Sequence, residues 1–248
     1  MSAEHAAAPA SQIDEMMEHA SHALADTRYF EAASLAWRAL LRARQTVDFE
    51  RMRRITLPLQ EARRQIRQRA VDSAEHATLI CHPDDAPARV KPGLYLLQPP
   101  LIGADARALR MAAEKTKTPA VVLAREPLTR SGLWPIVSVA RCSVRTRITP
   151  PVDVEEDARS PTRDDYRGVP PVGREWFEWA AEQLGDAAIE SAKQAAHPYW
   201  RIDDALERLE AVPDHEKLHQ FIAEQCRLAT SSDPPEEGRQ TESPDGVF

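Results

Sequence analysis

Residues 13–44 read IDEMMEHASHALADTRYFEAASLAWRALLRAR, and the spacing of their apolar positions decides the fold class. Ile13, Met16, Met17, Ala20, Ala23 and Leu24 recur at intervals of three and four, the mark of a helix with one buried stripe. Asp26 and Thr27 supply turn chemistry, after which Ala33, Ala36, Trp37, Leu40 and Leu41 share a face over Phe30–Ala43. Two antiparallel helices in a hairpin follow from this pattern. Downstream, Phe49, Met52, Ile55, Leu59, Ala62, Ile66 and Ala70 keep helical spacing across Pro58. Proline lacks a donor and crowds the preceding turn, so a kink or break is expected near Leu57.

The pattern changes after Ala74. Short apolar runs bounded by Pro and Gly stand at Ala77–Cys81, Leu94–Leu97, Ala120–Leu123 and Ile136–Ala140, and read as strands. Between the second and third, Ala104–Lys117 has helical composition after Gly103, giving a strand, helix, strand unit. Val144–Ile148 alternates apolar residues with Arg145 and Arg147, as an edge strand with a basic outer face would. Five prolines among acidic residues make 150–173 a linker or an irregular wrap. Helical spacing resumes with Trp176, Phe177, Ala180, Leu184 and Ala188 and is expected to stop before His197, because Pro198 follows. Two shorter helices complete the reading, one capped by Asp203 or Asp204 and one by Asp214. The predicted fold is α+β and predominantly helical. It comprises a helical region over 12–73, a small α/β domain over 75–149, a linker over 150–173, a C-terminal helical region over 174–229 and a disordered tail over 230–248.

The hairpin from about Ile13 to Arg44 resembles a single tetratricopeptide repeat. In one register Ala20, Ala32 and Ala39 fall at that family's small positions and Tyr29 at its turn aromatic; in another, Ala33 and Trp37 supply the alanine and aromatic four apart. Met16, His19, Ala20 and Arg44 stand where the family carries its tryptophan, leucine-glycine pair and closing proline. The resemblance implies a helical scaffold that binds a protein or peptide partner.

The net charge of −7 conceals strong asymmetry: residues 1–37 carry −5, residues 38–147 carry +11 and residues 148–248 carry −13. Within 38–69 lie ten arginines, of which Arg53, Arg54, Arg63, Arg64 and Arg67 form the candidate partner-binding face. Three uses of this charge are open. It can dock a protein partner, grip a phosphate backbone as a nucleic-acid binder would, or be matched inside the fold by the acidic C-terminal part. The sequence assigns no cofactor, no metal and no catalytic residue. A further alternative is a zinc hydrolase through His215-Glu216-Lys217-Leu218-His219, which has the spacing of two zinc-binding histidines flanking a general base. Lys217 and the preceding Pro213-Asp214 depart from that motif's usual setting, and a capped helix start is the simpler reading. His76, Cys81, His82 and Cys142 lack paired metal-ligand spacing, and Gly103 lacks the further glycines and lysine of a phosphate-binding loop.

Three widely spaced cysteines fit free thiols, and no apolar run is long enough to span a bilayer. The expectation is a cytoplasmic interaction or scaffold protein, non-catalytic, with no membrane partner.

Overall fold

Apolar spacing at three and four produces a stack of helices, and the continuous apolar runs produce the sheet beside it. The computed structural model describes residues 3–127, 130–151 and 172–235. Most of the proline-rich stretch 150–173, and the tail from 236 onward, lie outside the described residues. Helices α1 (Ala3–Ala25), α2 (Tyr29–Gln45) and α3 (Phe49–Asp72) follow one another through tight turns. Five strands come next, β1 (Thr78–Ile80), β2 (Gly93–Leu97), β3 (Ala120–Arg125), β4 (Trp134–Val139) and β5 (Ser143–Ile148), with α4 (Gly103–Lys115) between β2 and β3. Helices α5 (Arg174–Ala192), α6 (Pro198–Ala211) and α7 (Glu216–Thr230) complete the described chain. The predominantly helical α+β class expected from the sequence is the class observed.

The turns after α1, α2 and α4 are closed without glycine. Thr27, Val47 and Lys117 take left-handed backbone (φ 60°, 55° and 52°). In each turn the next residue's N–H reaches back to a carbonyl five residues earlier: Arg28 to Ala23, Asp48 to Ala43, Thr118 to Ala113. This is the Schellman arrangement, which satisfies the orphan carbonyls of a helix end. Asp48 then caps α3 by accepting the Arg51 N–H at 2.9 Å.

Helix α3 is the spine of the helical stack, touching α2, α7 and strands β2 and β3. It runs unbroken through Pro58, so of the kink or break expected near Leu57 the break does not occur. The reason is burial on both sides of the proline: Met52, Ile55, Leu59, Ala62 and Ile66 stay on one stripe only if the helix continues. Leu57 falls on the outer face, 70% exposed, and the Thr56 hydroxyl donates to the Arg53 carbonyl at 2.7 Å.

The sheet order is β1-β2-β3-β4-β5, with β1, β2 and β3 parallel and β4 and β5 antiparallel to their neighbours. β5 occupies one edge, with Arg145 and Arg147 exposed as expected. β2 is buried throughout, as a parallel strand covered on both faces must be. Leu94 and Leu96 face the helical core, while Tyr95 and Leu97 join Ala106, Leu109 and Ala113 of α4 on the other side. One cluster of buried side chains runs from Ile13 of α1 through Leu94, Ile136 and Phe177 to Ile222 and Ala229 of α7. Regions 12–73, 75–149 and 174–229 therefore share a core. At the junction after the linker, Val172 is fully buried and its carbonyl accepts the Ala77 N–H at 2.8 Å.

Two cap expectations are corrected. α6 begins at Pro198, whose missing donor suits the first helical position, and His197 caps it through Nδ1. Asp203 and Asp204 therefore lie inside the helix, and Asp203 serves as a bidentate acceptor for Arg44 of α2 at 2.6 and 2.8 Å. α7 is preceded by His215 at its N-cap, not by Asp214.

Because α3 carries Pro58 in its interior, Pro58→Ala restores a helix position. The expected gain is about 1–2 kcal/mol, the helix-interior penalty of proline less its unfolded-state advantage. Urea unfolding should show a raised midpoint; an unchanged or lowered midpoint would place a break at Leu57.

Candidate functional site

The turn between α6 and α7, Val212-Pro213-Asp214-His215, is where the helical stack meets the α/β layer. Its position is set by Arg110 of α4. Arg110 Nη1 donates to Ser138 Oγ at 2.7 Å and to the Ala211 carbonyl at 2.9 Å. Its Nη2 donates to the carbonyls of Val139 at 2.9 Å and Glu210 at 3.3 Å. Ser138 Oγ itself donates to the Ala211 carbonyl at 2.6 Å. Two of these acceptors are terminal carbonyls of α6, whose lone pairs and dipole favour a cation. All four are neutral, so burial lowers the Arg110 pKa with no carboxylate in hydrogen-bond contact to offset it.

Below this clamp the turn packs three titratable side chains. His219 is 1% exposed, its Nε2 lies 2.9 Å from the Pro213 carbonyl, and burial holds its imidazole down at about 4. The Nε2–H tautomer fits, since a carbonyl can only accept. His215 is also buried, and desolvation lowers its pKa despite the Glu182 carboxylate 3.4 Å from Nδ1 and that of Asp186 3.2 Å from Nε2. Neither contact is aligned as a hydrogen bond. The Asp214 carboxyl, with a buried Oδ1 lacking a hydrogen-bond partner, is pushed up by desolvation against the pull of Arg63, Arg67 and Arg110. His215 lies directly on Gly185 of α5, where an added Cβ would meet its Cγ at 2.1 Å. Gly185 is thus required by close approach, not by backbone conformation.

Beside the clamp opens a cleft of about 320 Å³. Its apolar lining comes from Trp37, Leu59, Met111, Ala140 and Leu209, and its polar lining from Arg63, Arg107, Arg110, Glu114, Glu210 and His219. Leu59 and Leu209 are buried at the floor, whereas Met111 is 58% exposed. Arg63 donates to Glu114 at 2.7 Å, tying α3 to α4 across the cleft. A second, smaller cavity of about 40 Å³ lies under the same turn, between Arg67, Asp214 and His215 and the β3 backbone, with room for a water or two.

The five arginines singled out from sequence do not form one surface. Arg53 is exposed and Arg64 half-buried, and they pair with Glu50 at 3.0 Å and Glu61 at 2.6 Å on their own helix. Arg54 is exposed with no ion pair among the described residues. Arg63 and Arg67 turn inward, to Glu114 and to Glu182 at 2.5 Å, and their side chains are only 18% and 16% exposed. Arg107 and Arg110 drew no notice in the sequence. The available signal was a pair of arginines at i and i+3 on a helix that follows a strand, with no acidic residue at the intervening positions.

The histidine pair at 215 and 219 is used for packing: one ring rests on Gly185, the other on the Pro213 carbonyl, and Glu216 accepts from Gln60 at 3.3 Å. Among the described residues no group of three or more His, Cys, Asp or Glu side chains is placed to hold a metal ion. Cys81 follows β1 and Cys142 precedes β5, at opposite edges of the sheet. Gly103 does open α4, but the Asp105 carboxylate already occupies that N-terminus, accepting the Ile102 N–H at 2.9 Å, and a Cβ at Gly103 would meet Val139 at 2.6 Å. No helix of the described residues is long and apolar enough to cross a membrane. Comparison with family models, curated proteins and solved structures finds no match for this chain.

Gly185→Ala is expected to lower stability by about 1–3 kcal/mol through overpacking. His215→Ala in the same chain should recover part of that loss, and additive losses in urea titrations would separate the two sites. The pH dependence follows from His219. Between its ordinary value of 6.5 and about 4, the unfolded chain takes up a proton that the folded chain refuses. Stability therefore falls as pH drops through that window, by up to about 3 kcal/mol. His215 adds to the fall, and Asp214, raised above 3.8, opposes it. The difference between wild type and His219→Gln isolates the one histidine: the variant should show the smaller loss of urea midpoint from neutral pH to about pH 4.5.

Proposed function

We propose that this chain is a binding protein whose recognition site is the cleft between α3, α4 and the α6–α7 turn. The observation that carries the proposal is the cleft itself. About 320 Å³ of space sits where three elements converge, with an apolar floor and a polar wall, at the lower end of the roughly 300–1,000 Å³ typical of ligand pockets. The polar groups of the wall are tied into the fold, Arg63 to Glu114, Arg110 to four neutral oxygens and His219 to the Pro213 carbonyl. Groups held so firmly suit recognition by a preformed surface better than proton transfer or nucleophilic attack.

A second reading, docking of a protein partner on the N-terminal helices, is supported by two features. Ala20, Ala32 and Ala39, the small positions of the tetratricopeptide-like register, are all fully buried at helix contacts. Arg53 and Arg54 with Leu57 leave a basic, partly apolar outer face on α3. The nucleic-acid alternative is less supported, because Arg53 and Arg64 are already paired with glutamates and Arg63 and Arg67 face inward.

A fragment screen read by two-dimensional NMR tests the proposal. Small amphipathic fragments are expected to perturb resonances around Trp37, Met111 and Leu209, and Met111→Trp, which fills the mouth without touching the core, should abolish those shifts. Hits confined to the outer face of α3 would favour partner docking instead.

A further inference from the structure

The charges that line the cleft do not cancel, and their pairing shows where the imbalance lies. Glu114 is engaged by Arg63 at 2.7 Å, and Glu210 by Arg141 at 3.4 Å. Both carboxylates of the wall are therefore already matched to other arginines. Arg107 makes no ion pair with any described residue. Arg110 spends its four terminal N–H groups on neutral oxygens, which leaves its charge without a carboxylate partner and its Nε–H as the remaining donor.

These two cations stand three residues apart on the same face of α4, so they are neighbours, and like charges at that spacing repel. Arg107 is among the groups that disfavour the charge on Arg110. The Arg110 guanidinium must keep its position because the end of α6 hangs on it; Glu114 and Asp214 favour its charge from a distance, but among the described residues no carboxylate makes an ion pair with Arg107 or Arg110. An acid group entering the cleft would do so, and would gain from the low-dielectric surroundings of Arg110. Next to the two arginines lie Trp37, Leu59, Met111 and Leu209. A fully solvated ion such as inorganic phosphate would leave these side chains without a partner.

Resting on the reading of this cleft as the recognition site, we infer that its ligand is a small organic anion: an acid group set against Arg107 and Arg110, with an apolar body on the Trp37, Leu59, Met111 and Leu209 side. A carboxylate and a phosphate monoester share this chemistry. The acid group selects among ligands of similar shape, and the apolar body supplies contact area. Arg107 is exposed and makes no ion pair among the described residues, so it can be altered without disturbing the fold.

The test is titration of the full chain, at low salt, with octanoate, octyl phosphate and the neutral octanamide, read by NMR shifts of cleft residues and by calorimetry. At least one anion is expected to bind about tenfold more tightly than octanamide, the worth of one charge-assisted hydrogen bond. Arg107→Gln should remove most of that preference while leaving octanamide binding unchanged, and raised salt should weaken only the anions. The leading anion assigns the head group. If octanamide shifts the same resonances with equal affinity, the anion inference fails and the cleft remains the binding site. If none of the three perturbs the cleft, while wild type and Met111→Trp give identical spectra of added probe, the recognition site itself has been misplaced.

Discussion

Arg110 is the constraint on which the junction of this fold depends. Its guanidinium joins the end of β4, through Ser138 and Val139, to the last carbonyls of α6, at Glu210 and Ala211. Enclosing a cation without a carboxylate costs free energy that only good hydrogen bonding can offset. Here four aligned acceptors and the negative end of a helix supply that offset. The consequence is geometric. With the end of α6 fixed against β4, the Val212–His215 turn must lie over the start of β3, and α7 must descend beside α3. The cleft, the small cavity under the turn and the burial of both histidines follow from that one attachment.

The charge asymmetry of the chain acquires a structural meaning in the same region. Basic residues of the middle segment meet acidic residues of the C-terminal part: Arg44 with Asp203, Arg67 with Glu182, Arg141 with Glu210. Solvent-accessible pairs such as Arg141–Glu210 contribute little individually, but the partly buried, bidentate Arg44–Asp203 contact is reinforced by Phe49 and Tyr199, whose rings meet edge to face at 4.6 Å. The matching is incomplete at α4, where Arg107 and Arg110 make no ion pair with any described residue, and this is the place where the cleft opens. Field and cavity thus coincide on one helix.

Much of the architecture is legible in the sequence because it follows from local periodicity. Ile13 to Leu24, Ala33 to Leu41 and Phe49 to Ala70 announce their helices, Leu94–Leu97 its doubly covered strand, and Arg145 and Arg147 their edge. What escaped reading depends on partners distant in the chain. Pro58 stays helical because α3 is held on both sides of it, which no local rule reports. Asp203 looks like a cap until Arg44 is brought to it from 159 residues away. Asp214 likewise looks like a cap, whereas the ring of His215 takes the adjoining space above Gly185. The arginine count drew attention to α3, yet the arginines without an ion pair that line the cleft lie on α4, since a count of charges cannot distinguish paired from unpaired ones.

Through the Arg110 attachment the inserted α/β layer and the C-terminal helices fold as one unit. Hydrogen exchange measured by mass spectrometry across a urea series tests this directly. Peptides from β2 to β4 and peptides from α6 and α7 are expected to lose protection at the same urea concentration, in a single global opening. Loss of protection across 75–149 at markedly lower urea, with α3, α6 and α7 still protected, would contradict it.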